Sequence, residues 1–304
     1  MDCEKRDCII VGGGPAGLTA AIYMARYHLS VTVFDDGTSR AASIPVSHNH
    51  AGFPEGINGA VLLSRMRAQA RKYGAEIRNL RVAAMSRRGA EFVISFDGGA
   101  LSARTVLIAT GVVNRRPSMP RDKHDEGVRR GLIRYCPVCD GFEVTDKRLA
   151  IVGQGSNAFR EAVFLRSYSR SITLLSPTGE HRLAPREVAR LQQLGIAVQR
   201  GPIEINVERD AIVIRAGAGD HHFDCIYPAL GSDVRSELAL SVGAVATDEG
   251  CIRIDSHQRT NVQGLYAAGD VVIGLDQISH AMGQAGVAAT TIRNDLSELS
   301  VLLR

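Results

Sequence analysis

The sequence predicts an α/β fold that contains two separate strand–turn–helix–strand segments. Two short apolar runs, each ending in a glycine-rich turn and followed by a helical pattern, begin near residues 8 and 149. The chain has 304 residues, of which 45% are hydrophobic and 22% charged, which is enough for about two domains. This composition excludes global disorder, because the chain can bury a substantial core.

The first segment begins with an apolar strand at residues 8–11. The turn Gly-Gly-Gly-Pro-Ala-Gly follows at residues 12–17, and a helical pattern extends over residues 18–28. A second strand at residues 31–34 leads to Asp35, 23 residues after the start of the turn. This order of elements is typical of a Rossmann-like dinucleotide-binding unit.

Each glycine of this turn has a physical role in such a unit. Gly12 makes the tight turn, Gly14 lets the backbone approach a pyrophosphate, and Gly17 allows the helix to pack closely on the strand. The helix N-terminus then faces the phosphates, and Asp35 accepts a hydrogen bond from a ribose hydroxyl. We therefore expect dinucleotide binding at the first turn.

A second unit of this kind begins roughly 140 residues later. A strand at residues 150–152 precedes a G-x-G-x-x-A turn that contains Gly153, Gly155 and Ser156, and another strand follows at residues 171–175. Two interpretations stay open: a second nucleotide site, or a Rossmann-like scaffold that has lost its ligand.

The sequence after this second unit lacks the expected nucleotide-binding charges. The strand ends in Leu-Ser-Pro-Thr at residues 175–178, without an acid for a ribose diol or an adjacent arginine for a 2′-phosphate. His181, Arg182 and Arg186 follow a few residues later, where they either reach a phosphate or belong to a solvated loop. The electron donor of this site is therefore left open.

Cysteine spacing singles out one pair. The chain has six cysteines, and only Cys136 and Cys139 form a C-x-x-C motif. In a chain without a secretory pattern this spacing indicates redox chemistry, a structural disulfide or half of a zinc site. No second C-x-x-C motif completes a zinc site, so we expect no metal.

Several functional classes are disfavoured by composition. The net charge of +4, the absence of Trp and an aromatic content of 5% offer little surface for nucleic acid. No apolar run reaches the length of a membrane helix, and no signal-peptide pattern precedes the first strand. We expect a cytoplasmic protein that binds neither nucleic acid nor membranes.

The motifs together carry a family resemblance that covers essentially the whole chain. Besides the two glycine turns they are Gly-Phe-Pro-Glu-Gly-Ile at 52–57, Ala-Thr-Gly at 109–111, Cys-Pro-Val-Cys-Asp-Gly at 136–141 and Ala-Gly-Asp at 268–270. In this combination the chain resembles the low-molecular-weight thioredoxin reductases. The most specific feature is the C-x-x-C-D-G motif just ahead of the second nucleotide unit.

The resemblance implies two Rossmann-like, FAD/NAD(P)-binding domains, one inserted into the other, and a homodimer. An FAD domain would consist of residues 1–114 and 246–304. A pyridine-nucleotide-type domain that carries the C-x-x-C motif would occupy residues 115–245.

Cofactor-binding residues are also implied by the resemblance. Those that would hold FAD are Gly12, Gly14, Pro15, Ala16, Asp35, Asn49, Thr110, Gly111, Gly269, Asp270, Gln277 and Ile278. Those that would face a pyridine nucleotide are Gly153, Gly155 and Ser156. Asp276 stands where the family usually has an arginine before the glutamine, which changes the local charge.

The resemblance further assigns roles at the redox motif. Cys139 would be the thiol next to the flavin, and Cys136 would exchange with the substrate. Asp140 would act as general acid and base for the departing thiolate, a role that requires a pKa raised by burial. The alternative for Asp140 is a turn or cap residue before a glycine.

The leading hypothesis is therefore an FAD-dependent disulfide reductase of the thioredoxin reductase type. Its partner would be a thioredoxin-like protein or a small disulfide, and its donor NADPH, NADH or another reductant. One alternative is a dithiol oxidase that passes electrons to oxygen, which the residue Asp140 disfavours because such oxidases more often carry His there. Another is a flavoprotein reduced by ferredoxin or a different protein donor.

Overall fold

A computed structural model describes residues 5–217, 219–299 and 302 of the chain. The strands within these residues are β1 Lys5–Val11, β2 Val31–Phe34, β3 Glu76–Arg78, β4 Val82–Arg88, β5 Glu91–Phe96, β6 Gly99–Ile108, β7 Val112–Asn114, β8 Leu149–Gly153, β9 Ile172–Leu175, β10 Ala197–Gln199, β11 Ile203–Val207, β12 Ile212–Ala216, β13 Gly219–Phe223, β14 Cys225–Ala229, β15 Ser232–Val234 and β16 Leu265–Ala267. The helices are α1 Pro15–Arg26, α2 Gly59–Lys72, α3 Arg121–Arg129, α4 Pro137–Asp140, α5 Gly155–Leu165, α6 Pro185–Gln193, α7 Glu237–Leu240 and α8 Ile278–Leu299. Two short 3-10 helices lie at Arg40–Ser43 and Phe142–Val144.

The chain divides into two compact units. The first consists of Met1–Ala42, Asn58–Val113 and Asp233–Arg304, and the second of Ser43–Ile57 and Asn114–Ser232. No helix of the described residues has both the length and the apolar character needed to cross a bilayer.

The first unit is built on a seven-stranded sheet. Its order is β3-β2-β1-β6-β5-β4, with β16 also paired to β6. The strands β3, β2, β1, β6 and β16 run parallel, whereas β4 and β5 form an antiparallel extension. Parallel strands covered on both faces read as continuous apolar runs, which is why residues 8–11 of β1 are apolar and buried without interruption.

Alternate residues of β1 contribute to two separate cores in this unit. Cys8 and Ile10 pack with small residues of α1 and α8 on one face. Ile9 and Val11 belong to the cluster on the other face. Side chains alternate across a strand, so this single strand anchors both layers.

The second unit has its own parallel sheet and its own core. The sheet order is β10-β9-β8-β14, and a separate antiparallel sheet has the order β11-β12-β13. Pro228 lies in β14, an edge strand, where a residue without a backbone N–H is tolerated. The glycine turn after β8 and the start of α5 therefore lie at the carboxyl end of the parallel sheet.

The units differ from the expected domain boundaries at two places. Residues 233–245, which were expected in the pyridine-nucleotide-type domain, lie in the first compact unit, where Ala239 of α7 and Ala244 pack in the core. Residues 43–57, which were expected in the FAD domain, belong to the second unit. The strands β7 and β15 pair as a two-stranded sheet.

Candidate active site

The C-x-x-C motif forms a disulfide at the start of α4. Cys136 and Cys139 are bonded, with a Cα–Cα distance of 5.2 Å, and both side chains are half-buried. Pro137 occupies the first helical position, where its missing N–H costs no hydrogen bond. The backbone N–H of Cys139 donates to the Cys136 Sγ at 3.1 Å. Such a donor stabilises a thiolate on Cys136 when the disulfide is reduced.

Asp140 ends α4, and both of its carboxylate oxygens are engaged. The Arg134 guanidinium donates from Nη1 to Oδ2 at 3.0 Å, and the Tyr227 hydroxyl donates to Oδ1 at 2.7 Å. Burial raises the pKa of Asp140 above its ordinary value, while Tyr227 and Arg134 act in the opposite direction. The raised pKa is the property that proton transfer to and from a thiol requires.

Two further titratable groups face this carboxylate. The charge of Glu143 raises the pKa of Asp140, and the Oε2 atom of Glu143 is buried without a hydrogen-bond partner among the described residues. Cys225 is buried near Arg134 and Asp140, and burial raises the pKa of its thiol to about 12. Cys225 is therefore protonated at neutral pH, which makes it a poor nucleophile.

The first glycine turn is as tight as the sequence predicts. Gly12 has a φ of +115°, and a Cβ atom there would overlap the Ala109 carbonyl. A Cβ atom on Gly17 would overlap the Gly12 carbonyl, so this glycine permits the close approach of α1. No side chain among the described residues caps the N-terminus of α1, which begins at Pro15 after the N-cap Gly14. Its first turn is thus suited to an anion.

Asp35 lies beside this turn and is 3% exposed. Arg67 of α2 binds its Oδ2 through Nε at 3.0 Å and Nη2 at 2.7 Å, and the N–H of Gly37 donates to Oδ1 at 2.9 Å. Both oxygens of the carboxylate therefore accept hydrogen bonds, and Oδ1 can accept a further one from a hydroxyl. Sequence reasoning did not find Arg67, which is 32 residues away from its partner.

The Gly-Asp segment after β16 carries an ion-pair cluster. Arg40 Nη2 lies 2.6 Å from Asp270 Oδ2 and 3.2 Å from Asp276 Oδ2. Arg40 therefore supplies a cation beside Asp276, the position at which the family arginine is absent. Burial raises the pKa of Asp270, and Arg40 lowers it.

The remaining predicted FAD residues of the first unit follow β6 and β16 along the chain. Gly269 has a φ of +83°, and its N–H donates to Gln284 Oε1 at 2.8 Å. A Cβ atom on Gly269 would lie 3.0 Å from the Ala16 Cβ. Thr110 Oγ1 donates to the Arg235 carbonyl at 2.6 Å. Gln277 immediately precedes α8, and Ile278 is the first residue of this helix. Gly111 follows Thr110 with a φ of +64°.

Asn49, a predicted flavin residue, lies close to the redox motif. It lies in the 43–57 segment of the second unit, where its Nδ2 donates to the Val138 carbonyl at 3.4 Å. Ser47 also donates to its Oδ1 at 3.1 Å. Asn49 thus contacts the redox motif itself.

The second glycine turn has the predicted form. A Cβ atom on Gly153 would lie 2.5 Å from the Ala229 carbonyl, and Gly155 has a φ of +65° at the start of α5. Ser156 is exposed. The imidazole of His181 is buried, and its Nε2 donates to the Gln199 carbonyl at 2.6 Å.

The residues that sequence reasoning missed are partners of the predicted ones. Tyr227 is 87 residues from Asp140, and no local signal connects them. Arg134 did carry a signal, because it is a charged residue between Ile133 and Tyr135, two positions before Cys136. A cation in an otherwise apolar segment needs a nearby acid.

Comparisons with known proteins agree with this arrangement. Residues 6–285 match the family model described as pyridine nucleotide-disulphide oxidoreductase. A thioredoxin reductase of Streptomyces coelicolor is 31% identical over 303 residues, which cover 95% of this chain and 91% of that protein.

Solved structures of thioredoxin reductases are similar in fold to this chain. The thioredoxin reductase of Streptococcus pyogenes superimposes with a TM-score of 0.88 at 26% identity, over 97% of this chain and 99% of that one. An atypical thioredoxin reductase of Desulfovibrio vulgaris Hildenborough is 30% identical with a TM-score of 0.55, over 96% and 98% of the two chains. The predicted α/β fold with two Rossmann-like units is confirmed.

Proposed function

Because the chain belongs to the pyridine nucleotide-disulphide oxidoreductase family, we propose that it is an FAD-dependent disulfide reductase of the thioredoxin reductase type. The observation that carries this proposal is the half-buried Cys136–Cys139 disulfide, which is followed directly by the buried carboxyl of Asp140. The names of the relatives support a thioredoxin-like protein disulfide as the substrate.

The residues of the first unit fit FAD. The uncapped first turn of α1 suits the pyrophosphate, and the buried Asp35 carboxylate is an acceptor for a ribose hydroxyl. The ion pair of Asp270 and Arg40 in the same unit offers a carboxylate and a guanidinium to the polar part of the cofactor. When bound, FAD supplies the two electrons that reduce a disulfide.

The chemistry of the chain itself is thiol–disulfide exchange. Once reduced, the Cys136 thiolate attacks one sulfur of the substrate disulfide, forms a mixed disulfide and releases the other substrate sulfur as a thiolate. The Cys139 thiolate then attacks the Cys136 sulfur, which restores the Cys136–Cys139 disulfide and releases the second substrate thiolate. The N–H of Cys139 that donates to Cys136 Sγ supports Cys136 as the attacking thiol.

Asp140 moves the protons of these steps. As a carboxylate it takes the proton of the Cys136 thiol, and as a carboxylic acid it returns a proton to a departing thiolate. Its N–H donates to the Cys136 carbonyl at 3.3 Å, so it lies one turn from the attacking residue. The raised pKa of Asp140 brings the two protonation states closer together in energy near neutral pH.

Three attributes complete the proposal. The first unit is the FAD domain and the second is the pyridine-nucleotide-type domain that carries the disulfide. The protein acts as a homodimer in the cytoplasm, which its resemblance to thioredoxin reductases supports. Light scattering of the purified flavoprotein measures the mass of the assembly, and a monomer would contradict the dimer.

A single-turnover experiment tests the proposed function without any assumption about the electron donor. The holoenzyme is reduced with dithionite, freed of excess reductant and mixed anaerobically with oxidised thioredoxin, and the new thioredoxin thiols are counted. We expect full reduction of the thioredoxin disulfide by the wild type, no new thiol with Cys136→Ser, and at most one new thiol per thioredoxin, held in a mixed disulfide, with the matched variant Cys139→Ser. Equal thiol formation by all three proteins would refute the proposal.

A further inference from the structure

Three consecutive residues of the second glycine turn are engaged by one segment of the same chain. This segment, residues 176–187, follows β9 and is called the covering segment. Thr178 Oγ1 donates to Gln154 Oε1 at 3.3 Å. The N–H of Gly155 donates to the His181 carbonyl at 2.7 Å. The next residue of the turn, Ser156, lowers the pKa of the Glu187 carboxyl in the same segment, so the two side chains are neighbours.

The covering segment is held in this position by its own hydrogen bonds. Ser176 is fully buried, and its hydroxyl donates to the Glu180 carbonyl at 2.6 Å. The buried His181 ring donates to the Gln199 carbonyl of β10, which fixes the peptide whose carbonyl meets the turn. The segment is therefore a built part of the second unit.

The groups that the covering segment presents are the wrong ones for a nucleotide. A pyrophosphate at a helix N-terminus needs free N–H donors, whereas the Gly155 N–H already has a carbonyl acceptor. The Oε2 atom of Glu187, the carboxylate beside Ser156, accepts from the Ala184 N–H at 2.8 Å. The Ala184 N–H and Ser156 hold the pKa of Glu187 below its ordinary value, so the carboxylate is charged and repels phosphate.

The nearby guanidinium groups do not reverse this balance. Arg182 lies 3.7 Å from Glu180 of the same segment, and both side chains are largely exposed. The charges of Arg186 and Arg160 act on Glu187, where they stabilise its ionised form. The cations that sequence analysis considered for a 2′-phosphate thus face carboxylates of the covering segment.

We propose that the covering segment occupies the second glycine turn in place of a pyridine nucleotide, so that the reductant of this protein is not a pyridine nucleotide bound at this turn. The inference rests on the proposed function in one respect only: it assumes that the protein holds a flavin, which some donor must reduce. It also departs from the donor that the family description names, because the residues at this turn do not fit that group.

Equilibrium binding to the oxidised holoenzyme tests the proposal. NADP⁺ and NAD⁺ are the probes, since both carry the pyrophosphate and neither reduces the flavin, and calorimetry gives the dissociation constants. We expect no saturation below about 1 mM, the upper end of ordinary substrate constants. Glu187→Gln removes the charge that faces Ser156 and keeps an acceptor for the Ala184 N–H. Glu204→Gln, on an exposed carboxylate of β11 in the same unit, is the matched control.

Each outcome decides the proposal. The expected result is that Glu187→Gln binds the probes at least about tenfold more tightly than Glu204→Gln, while the wild type resembles the control. Saturation of the wild type at micromolar NADP⁺ or NAD⁺ would overturn the proposal, as would equal behaviour of the two variants. The single-turnover reduction of thioredoxin uses dithionite, so the proposed function can fail or succeed independently of this result.

Discussion

Replacing Arg134 by glutamine is expected to raise the pKa of the Asp140 carboxyl by about two units. Arg134 Nη1 lies 3.0 Å from Asp140 Oδ2, and the two side chains are only 19% and 21% exposed. The substitution removes the cation but leaves an amide that can still donate a hydrogen bond. Loss of the charge therefore dominates the effect.

The magnitude follows from the geometry of the ion pair. Two unit charges about 4 Å apart in a medium with an effective dielectric constant of about 20 interact with about 4 kcal/mol. At about 1.4 kcal/mol per pKa unit this energy sets an upper limit of about three units. Partial solvent exposure lowers it, and carboxyls beside arginine ordinarily show shifts of one to three units.

Two assays measure the shift. Infrared titration of the oxidised holoenzyme follows the carboxylic-acid band of Asp140, identified by its loss in Asp140→Asn. The pH profile of single-turnover thioredoxin reduction reports the pKa of Asp140 in the reduced enzyme, because Asp140 must be ionised to take the proton of the Cys136 thiol. The acidic limb of this profile is expected to move to higher pH in Arg134→Gln.

The control is Arg134→Lys, which retains a cation and is expected to keep the limb near its wild-type position. Glu143 and Cys225 also face this site but are the same in all variants, so their effects cancel in the comparison. An unchanged infrared titration in a folded Arg134→Gln variant would refute the reasoning.

Three further predictions follow from other contacts. Arg67→Met leaves the buried carboxylate of Asp35 without its cation. We expect urea denaturation to show a loss of about 3 to 5 kcal/mol in unfolding free energy, together with weaker FAD retention. Arg65→Met on the same helix is the control, and equal losses in both variants would contradict the role of Arg67. Tyr227→Phe removes a neutral donor to Asp140, so the same infrared titration should show a rise in its pKa of less than about one unit, and a shift as large as that of Arg134→Gln would count against the argument. Cys225 has a thiol pKa raised to about 12 by burial, so iodoacetamide should leave it unlabelled in the native reduced enzyme at neutral pH, as peptide mass spectrometry would measure; rapid labelling there would contradict its burial.

Patterns that are local in sequence predicted much of this protein. The glycine turns at Gly12 and Gly153, the redox pair and the strand that leads to Asp35 all depend on neighbours within about 25 residues, and periodicity can reveal such neighbours. The small residues of α8 recur at helical spacing, which is also a local pattern.

Partners that come from distant parts of the chain could not be predicted. The contacts of Asp140 with Tyr227 and of Asp35 with Arg67 depend on how strands and helices are arranged, which no short pattern encodes. The same holds for Glu187, which meets the second glycine turn only because the covering segment folds back on it. The sequence showed that the expected arginines are absent after β9, and the structure shows that the covering segment contacts the second glycine turn.

Trapping of the mixed disulfide tests the central claim most directly, namely that the Cys136–Cys139 pair passes electrons to a protein disulfide. Cys139→Ser leaves Cys136 without the thiol that would resolve the complex, and Cys136→Ser leaves only Cys139. Each variant is reduced, mixed with oxidised thioredoxin and analysed by peptide mass spectrometry. The predicted result is a stable bond between thioredoxin and Cys136 in the first variant and none in the second. A bond through Cys139 alone, or no bond in either variant, would contradict the claim.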